Sequence, residues 1–121
     1  MAKEEGPRAV ATNRKALHDY FIEDRFEAGI ALQGSEVKSI RSGKANLRDS
    51  YVRIKNGELW LVDCHISPYD QAARENHEPR RERKLLMHRK EIARLDNKSQ
   101  AKGLTIVPLK MYFSRNNKVK V

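Results

Sequence analysis

Tyr51-Val52-Arg53-Ile54-Lys55-Asn56-Gly57-Glu58-Leu59-Trp60-Leu61-Val62-Asp63-Cys64-His65-Ile66 decides the fold class of this chain. Asn-Gly at its centre supplies the two positive-φ residues of a type I′ turn, and the flanking β-branched and aromatic residues suit a pleated, half-buried surface. The stretch predicts a β-hairpin of Tyr51 to Lys55 against Glu58 to Ile66. A hairpin alone is marginal in water, so further strands must close over it.

Those strands are sought on both sides. Upstream, Phe26, Ala28, Ile30 and Leu32 alternate with Glu27, Gly29, Ala31 and Gln33, which predicts a strand with one face inward. Between it and the hairpin lies Ser35-Glu36-Val37-Lys38-Ser39-Ile40-Arg41-Ser42-Gly43. Ser35 as cap, Val37 and Ile40 on one face and Gly43 as a left-handed stop predict a short helix. Lys38 and Arg41 then share an outward face, with Lys44 just beyond the helix. Residues 1–13 mix charge, Gly, Pro and Ala without period and read as a flexible arm, with order starting near Ala16.

Downstream, Ser67 to Pro79 carries no period and reads as an exposed, mobile loop. Pro79-Arg80-Arg81-Glu82-Arg83-Lys84-Leu85-Leu86-Met87-His88-Arg89-Lys90 is a cationic run with an apolar centre, which suits a rigid element presenting cations to a polyanion. It divides into a short strand or entry turn, Arg83 to Met87, and a helix from about Arg89 to Ala101 with Ile92 and Leu95 inward and Gly103 as its stop. Leu104 to Phe113 reads as a long strand with Pro108 at an edge or bulge, Ser114 to Lys118 as a turn, and Val119-Lys120-Val121 as a short partner strand. Strands that are mostly sequential predict a mainly β domain over residues 14–121, a small antiparallel barrel resembling the oligonucleotide-binding fold with two to three flanking helices.

Composition narrows the function. At 121 residues the chain forms one domain, burying roughly two thirds of its unfolded surface. Lys+Arg 25 against Asp+Glu 16 gives a formal charge of +9, which points to a polyanionic partner. No apolar run approaches the roughly twenty residues of a membrane-spanning helix, and the first residues lack a signal-peptide core, so a cytoplasmic monomer away from membranes is expected. Cys64, the one cysteine, excludes an intrachain disulfide and reads as a small buried hydrophobe.

No catalytic motif emerges. Cys64 and His65 are strand neighbours facing opposite ways, and His18, His65, His77 and His88 fall in separate elements and read as surface residues. Neither metal nor cofactor is implied. Three groups suit RNA: Asn13, Arg14 and Lys15 with His18 and Tyr20; Lys38, Arg41 and Lys44; and the cationic run, with Lys84 and Arg89, joined by Lys110 and Lys118. Glu27 is repelled by phosphate but suits the donor edge of a guanine or cytosine. Leu85, Leu86 and Met87 cannot all point inward from one strand, which leaves one to meet a nucleotide or a helix.

Several stretches together resemble the bacterial small protein B (SmpB) family: Asn13-Arg14-Lys15-Ala16 with His18-Asp19-Tyr20, Phe26-Glu27-Ala28-Gly29, Leu32 to Arg41, Gly43-Lys44-Ala45-Asn46, Asp49-Ser50-Tyr51, Arg83-Lys84-Leu85-Leu86 and Val119-Lys120-Val121. The resemblance implies a barrel like the oligonucleotide-binding fold and a non-enzymatic adaptor. Such an adaptor binds the tRNA-like domain of transfer-messenger RNA (tmRNA), supports its alanylation by alanyl-tRNA synthetase and its association with elongation factor Tu, and carries it to stalled ribosomes in trans-translation. It also implies two RNA-facing patches on opposite sides of the barrel, one with Glu27, Leu86 and Lys118, the other with Asn13, His18, Lys38 and Arg41. The family's basic C-terminal tail does not follow Val121, so this chain is expected to bind RNA without supporting tagging. The alternatives are a ribosomal or other structured-RNA-binding protein, or an RNA-processing enzyme.

Overall fold

A computed structural model describes residues 9–69 and 76–121. In chain order the elements are β1 (Ala9–Thr12), α1 (Arg14–Asp19), β2 (Gly29–Ile30), α2 (Gly34–Arg41), β3 (Ala45–Asn46), β4 (Tyr51–Lys55), β5 (Glu58–Val62), β6 (His65–Ile66), β7 (Arg83–Leu86), α3 (Arg89–Lys102), β8 (Lys110–Phe113) and β9 (Val119–Lys120). Seven strands form one antiparallel sheet in the order β1-β8-β9-β2-β7-β5-β4, and β3 pairs with β6 apart from it. The ladder does not close. Its edge strands are linked through the irregular segment 104–109, which accepts from the Val52 amide at Ile106 O and from the Asn13 amide at Leu109 O. The result is a mainly β fold of the oligonucleotide-binding type, with an open sheet curled over its core.

The hairpin stands as read. Asn56 and Gly57 take φ of 55° and 75°, and the register runs from Tyr51 opposite Val62 to Lys55 opposite Glu58. Its second strand is shorter than the sequence predicts, because Asp63 enters the left-handed region and turns the chain out of the sheet. His65 and Ile66 then pair with Asn46 and Ala45 instead.

The core gathers Ile30, Ile40, Leu47, Leu59, Leu61, Cys64, Ile66, Leu85, Ile92, Leu95, Met111 and Val119. Beside it lies a buried charge network. Glu36 and Arg83 are both inaccessible to solvent. Arg83 Nε donates to Glu36 Oε2 at 2.6 Å, and Arg81 Nη2 donates to Glu36 Oε1 at 2.7 Å. The Gln33 amide reaches the same carboxylate at 2.8 Å, while Arg83 Nη1 and Nη2 donate to the carbonyls of Cys64 and Pro79. The network ties α2 to β7 and to the β5–β6 turn.

Several expectations are corrected. The arm is ordered at its end: Ala9–Thr12 pair with β8, and only residues 1–8 lie outside the described residues. Asn13 then starts an unforeseen helix, α1, with Tyr20 as its C-terminal cap. The strand expected over Phe26 to Gln33 is assigned only at Gly29–Ile30, since its partners β7 and β9 overlap it together only at Gly29. Backbone bonds between Ala28 and Val121, and from Ala31 to Lys84, extend it, and the alternation places Ala28 and Ile30 inward as read. In α2 the cap is Gln33 rather than Ser35, and the buried face is Ser35, Glu36, Ser39 and Ile40, with Val37 only half-buried.

The expected long strand from Leu104 is confined to Lys110–Phe113, because Pro108 lacks an amide and lies buried in the bridging segment. The described ends of the Ser67 to Pro79 loop are less exposed than read. Asn76 closes its base with bonds to both the amide and carbonyl of Tyr69, and residues 70–75 lie outside the described residues. His77 is no surface histidine: its Nε2 donates to Ile66 O at 2.8 Å, which leaves Nδ1 to take the Ser35 hydroxyl at 2.9 Å.

Two tests follow from this core. Burial alone pushes the Glu36 carboxyl up, but hydrogen bonds from Arg81, the Gln33 amide and Arg83, with the charge of Arg83, outweigh it and hold the carboxyl below the usual glutamate range. Its contribution is therefore full above that range and is lost as pH falls through the lowered value. Glu36→Ala strands Arg83 unpaired and should cost about 3–5 kcal/mol in urea denaturation, with a flatter acid limb of the stability curve; an unchanged midpoint and acid limb contradict the network's role. Burial also pushes the Cys64 thiol up to about 11. At neutral pH iodoacetamide should leave native protein unlabelled and alkylate it fully in urea; rapid native labelling contradicts a closed core.

Candidate RNA interface

Strand pairing fixes which side chains share the outer face of the sheet. Tyr112 lies opposite Lys120, Lys120 opposite Gly29, and Gly29 opposite Leu86, so one row crosses β8, β9, β2 and β7. Their strand neighbours Met111, Val119, Ile30 and Leu85 are buried, which turns the row outward. By the same alternation Lys110, Lys118, Glu27 and Lys84 stand on this face. Leu86 remains 49% exposed, the odd residue of the apolar triplet.

The charges here are unevenly neutralised. Lys84 is paired with Glu58 at 3.0 Å, whereas Lys110, Lys118 and Lys120 have no carboxylate partner among the described residues. Glu27, the acid among them, accepts a hydrogen bond from the Tyr112 hydroxyl. That bond uses part of the carboxylate's accepting capacity and leaves the rest open to solvent.

A second cationic group surrounds α1 and α2. Arg14, His18, Lys38, Arg41, Lys44 and Arg48 are exposed, and Lys15 is paired with Asp49 at 3.3 Å. Lys38 Nζ lies 5.6 Å from the centre of the Tyr69 ring, and the Arg41 guanidinium lies 5.0 Å from that of Phe113. A ring steadies a cation without cancelling its charge, so both remain free to meet phosphate. The α2 end is held here by local bonds: Gly43 takes φ of 75°, the Lys44 amide donates to Ser39 O, and the Ser39 hydroxyl donates to Ser67 O at 2.6 Å.

Most residues singled out from the sequence are therefore exposed: Arg14, Lys15, His18, Tyr20, Glu27, Lys38, Arg41, Lys44, Leu86, Arg89, Lys110 and Lys118, with Lys84 half-buried. Asn13 is corrected. Its Oδ1 accepts from the Ala16 amide, and its Nδ2 donates to Leu47 O and Pro108 O, so a buried side chain fastens α1 to two distant segments. The run around Arg83 is corrected too: Arg81 and Arg83 serve Glu36, the exposed Arg80 donates to Asp63 O, and the run is not one outward cationic element. Sequence reasoning missed Tyr112 and Lys120, although alternation around Met111 and Val119 marks both as outward.

Comparison with known proteins places this geometry. The SmpB protein family model matches residues 10–121. The chain is 64% identical over 109 residues to the SsrA-binding protein of Carboxydothermus hydrogenoformans, covering 90% of this chain and 73% of that protein. It is 62% identical over 112 residues to the SsrA-binding protein of Symbiobacterium thermophilum, covering 93% and 71%. A chain of the solved structure described as "tmRNA-SmpB: a journey to the center of the bacterial ribosome" superposes with a TM-score of 0.75 at 50% identity, covering 91% of this chain and 77% of that one. With the curled sheet and its two cationic faces, these matches establish that the chain belongs to the SmpB family of SsrA-binding proteins.

Proposed function

We infer that this chain is a non-enzymatic RNA-binding adaptor that binds the tRNA-like domain of tmRNA and serves its delivery to stalled ribosomes in trans-translation. The observation that carries the RNA-facing assignment is the sheet's outer face, where three lysines without carboxylate partners among the described residues surround one acid. On this reading Lys110, Lys118 and Lys120 meet phosphates, Leu86 packs against a nucleotide, and Glu27 accepts from a base edge. The face of α1 and α2, with Arg14, Lys15, His18, Lys38, Arg41 and Lys44, serves a second stretch of RNA, tmRNA or ribosomal. No helix among the described residues is long and apolar enough to cross a membrane, and work on ribosomes implies a cytoplasmic location.

Titration of the tRNA-like domain of tmRNA against salt tests the charge assignment. Log affinity should fall with log salt by about 0.7–0.9 per phosphate neutralised. Lys118→Ala should lower that slope by about 1 and weaken binding to all RNAs alike, and an unchanged slope removes Lys118 from the interface. Glu27→Ala raises the net charge yet should reduce discrimination between the tRNA-like domain and other folded RNAs. If the variant simply binds every RNA more tightly, with the preference intact, Glu27 reads no base.

A further inference from the structure

Residues 20–27 run from the end of α1 to the start of the β2 segment without forming a helix or a strand. Their ends are fixed. The Tyr20 amide donates to Ala16 O, and Ala28 exchanges two backbone bonds with Val121. Between these points no backbone group bonds to another element among the described residues. Side chains hold the segment instead. Asp24 pairs with Lys98 at 2.9 Å and Glu23 with Lys102 at 3.3 Å, both on α3, and Glu27 accepts from the Tyr112 hydroxyl.

Beneath the segment lies an apolar cavity of about 480 Å³, walled by Leu59, Leu85, Leu95 and Ile106. Phe21 and Ile22 both border it. Ile22 is half-buried, but Phe21 is fully exposed, far more so than any other large apolar side chain among the described residues. An apolar cavity of roughly 150 Å³ already admits a benzene ring, so there is room for the Phe21 ring beside Ile22. A ring kept in water next to such a cavity forgoes favourable burial. Insertion would draw the segment away from Lys98 and Lys102, and the two ion pairs oppose it. Surface pairs of this kind are weak and screened by salt, which leaves the two positions close in free energy.

We propose that residues 20–27 form a lid with two positions, latched open by the Asp24–Lys98 and Glu23–Lys102 pairs and closed by insertion of the Phe21 ring among Leu59, Leu85, Leu95 and Ile106. The lid begins at α1 and ends at Glu27, so its closure couples the two faces to which the RNA-binding reading assigns partners. That coupling rests on the reading above; the lid itself does not.

Phe21→Trp places a reporter at an exposed position, and the wild-type chain, whose one tryptophan is Trp60, supplies the background. At low salt the indole at position 21 should emit as in water and be freely quenched by acrylamide. In about 1 M sodium chloride, or with Glu23→Gln and Asp24→Asn added, its emission should move to shorter wavelength and its quenching fall at least threefold. Ser99→Phe, which fills the cavity from α3, should abolish both changes. A reporter that stays exposed in salt and in the latch variant overturns the lid, and so does a shift that persists with the cavity filled, because the ring then packs elsewhere. If Ser99→Phe loses the native circular dichroism, nuclear Overhauser contacts from the Phe21 ring to the Leu85 and Leu95 methyls in the latch variant decide instead, and their absence overturns the lid. Binding of the tRNA-like RNA should change the reporter's quenching at least twofold; unchanged quenching with RNA bound overturns the coupling. Failure of the chain to bind this RNA is a separate result that defeats the adaptor reading and not the lid.

Discussion

The carboxylate of Glu36 and the guanidinium of Arg83 are buried together, and the rest of the molecule is arranged around keeping both satisfied. A buried ion pair gives little net stability when complete but is costly when half of it is lost. Completion here draws on Arg81, the Gln33 amide and the carbonyls of Cys64 and Pro79. Those partners belong to α2, β7 and the two connections flanking β6, so the polar requirement of one carboxylate fixes how the helix sits on the sheet. Ser35 and Ser39, on the same buried face of α2, extend the clamp through His77 to Ile66 and directly to Ser67.

This internal use of charge sorts the cations of a strongly basic chain. Arg81 and Arg83 hold the fold, Lys84 is balanced by Glu58, and Lys98 and Lys102 tie α3 to Asp24 and Glu23. Cations that face outward without a carboxylate among the described residues stand on the β8–β9 hairpin and around α2, and also at Arg25, at Lys55 and along α3 at Arg89, Lys90 and Arg94. Net charge alone forecasts a polyanionic partner, and this sorting removes the internally used cations from the candidates for meeting it. The packing of Lys38 and Arg41 against aromatic rings belongs to the same logic, since it limits their motion while leaving them charged.

Much of the fold was legible because its determinants are local. Asn56-Gly57, the left-handed stops Gly43 and Gly103, the division of the basic run into β7 and α3, and the Ile92 and Leu95 stripe each depend on a few adjacent residues. What sequence could not show depends on partners far along the chain. Ala9–Thr12 become a strand only because β8 offers an edge, and Asn13 is structural only because Leu47 and Pro108 present carbonyls to it. Nothing adjacent to Glu36 marks it as buried, because its partner Arg83 lies 47 residues later. Helical spacing put Lys38 and Arg41 outward, and the resemblance singled out Leu86 from the apolar triplet, whereas Tyr112 acquires meaning only beside Glu27, 85 residues away.

A single acid among lysines has a consequence for recognition that charge counting hides. Phosphate approaching Glu27 is repelled, so an RNA that offers only backbone at that point loses part of what Lys118 and Lys120 contribute. An RNA that turns a donor edge toward Glu27 keeps the lysine contacts and adds a charge-assisted hydrogen bond. The two cases differ in the sign of one interaction while the long-range attraction stays the same. On the proposed reading steering and discrimination are separated: the lysines set how often RNA arrives, and the carboxylate, held by Tyr112, sets which arrangement of RNA stays.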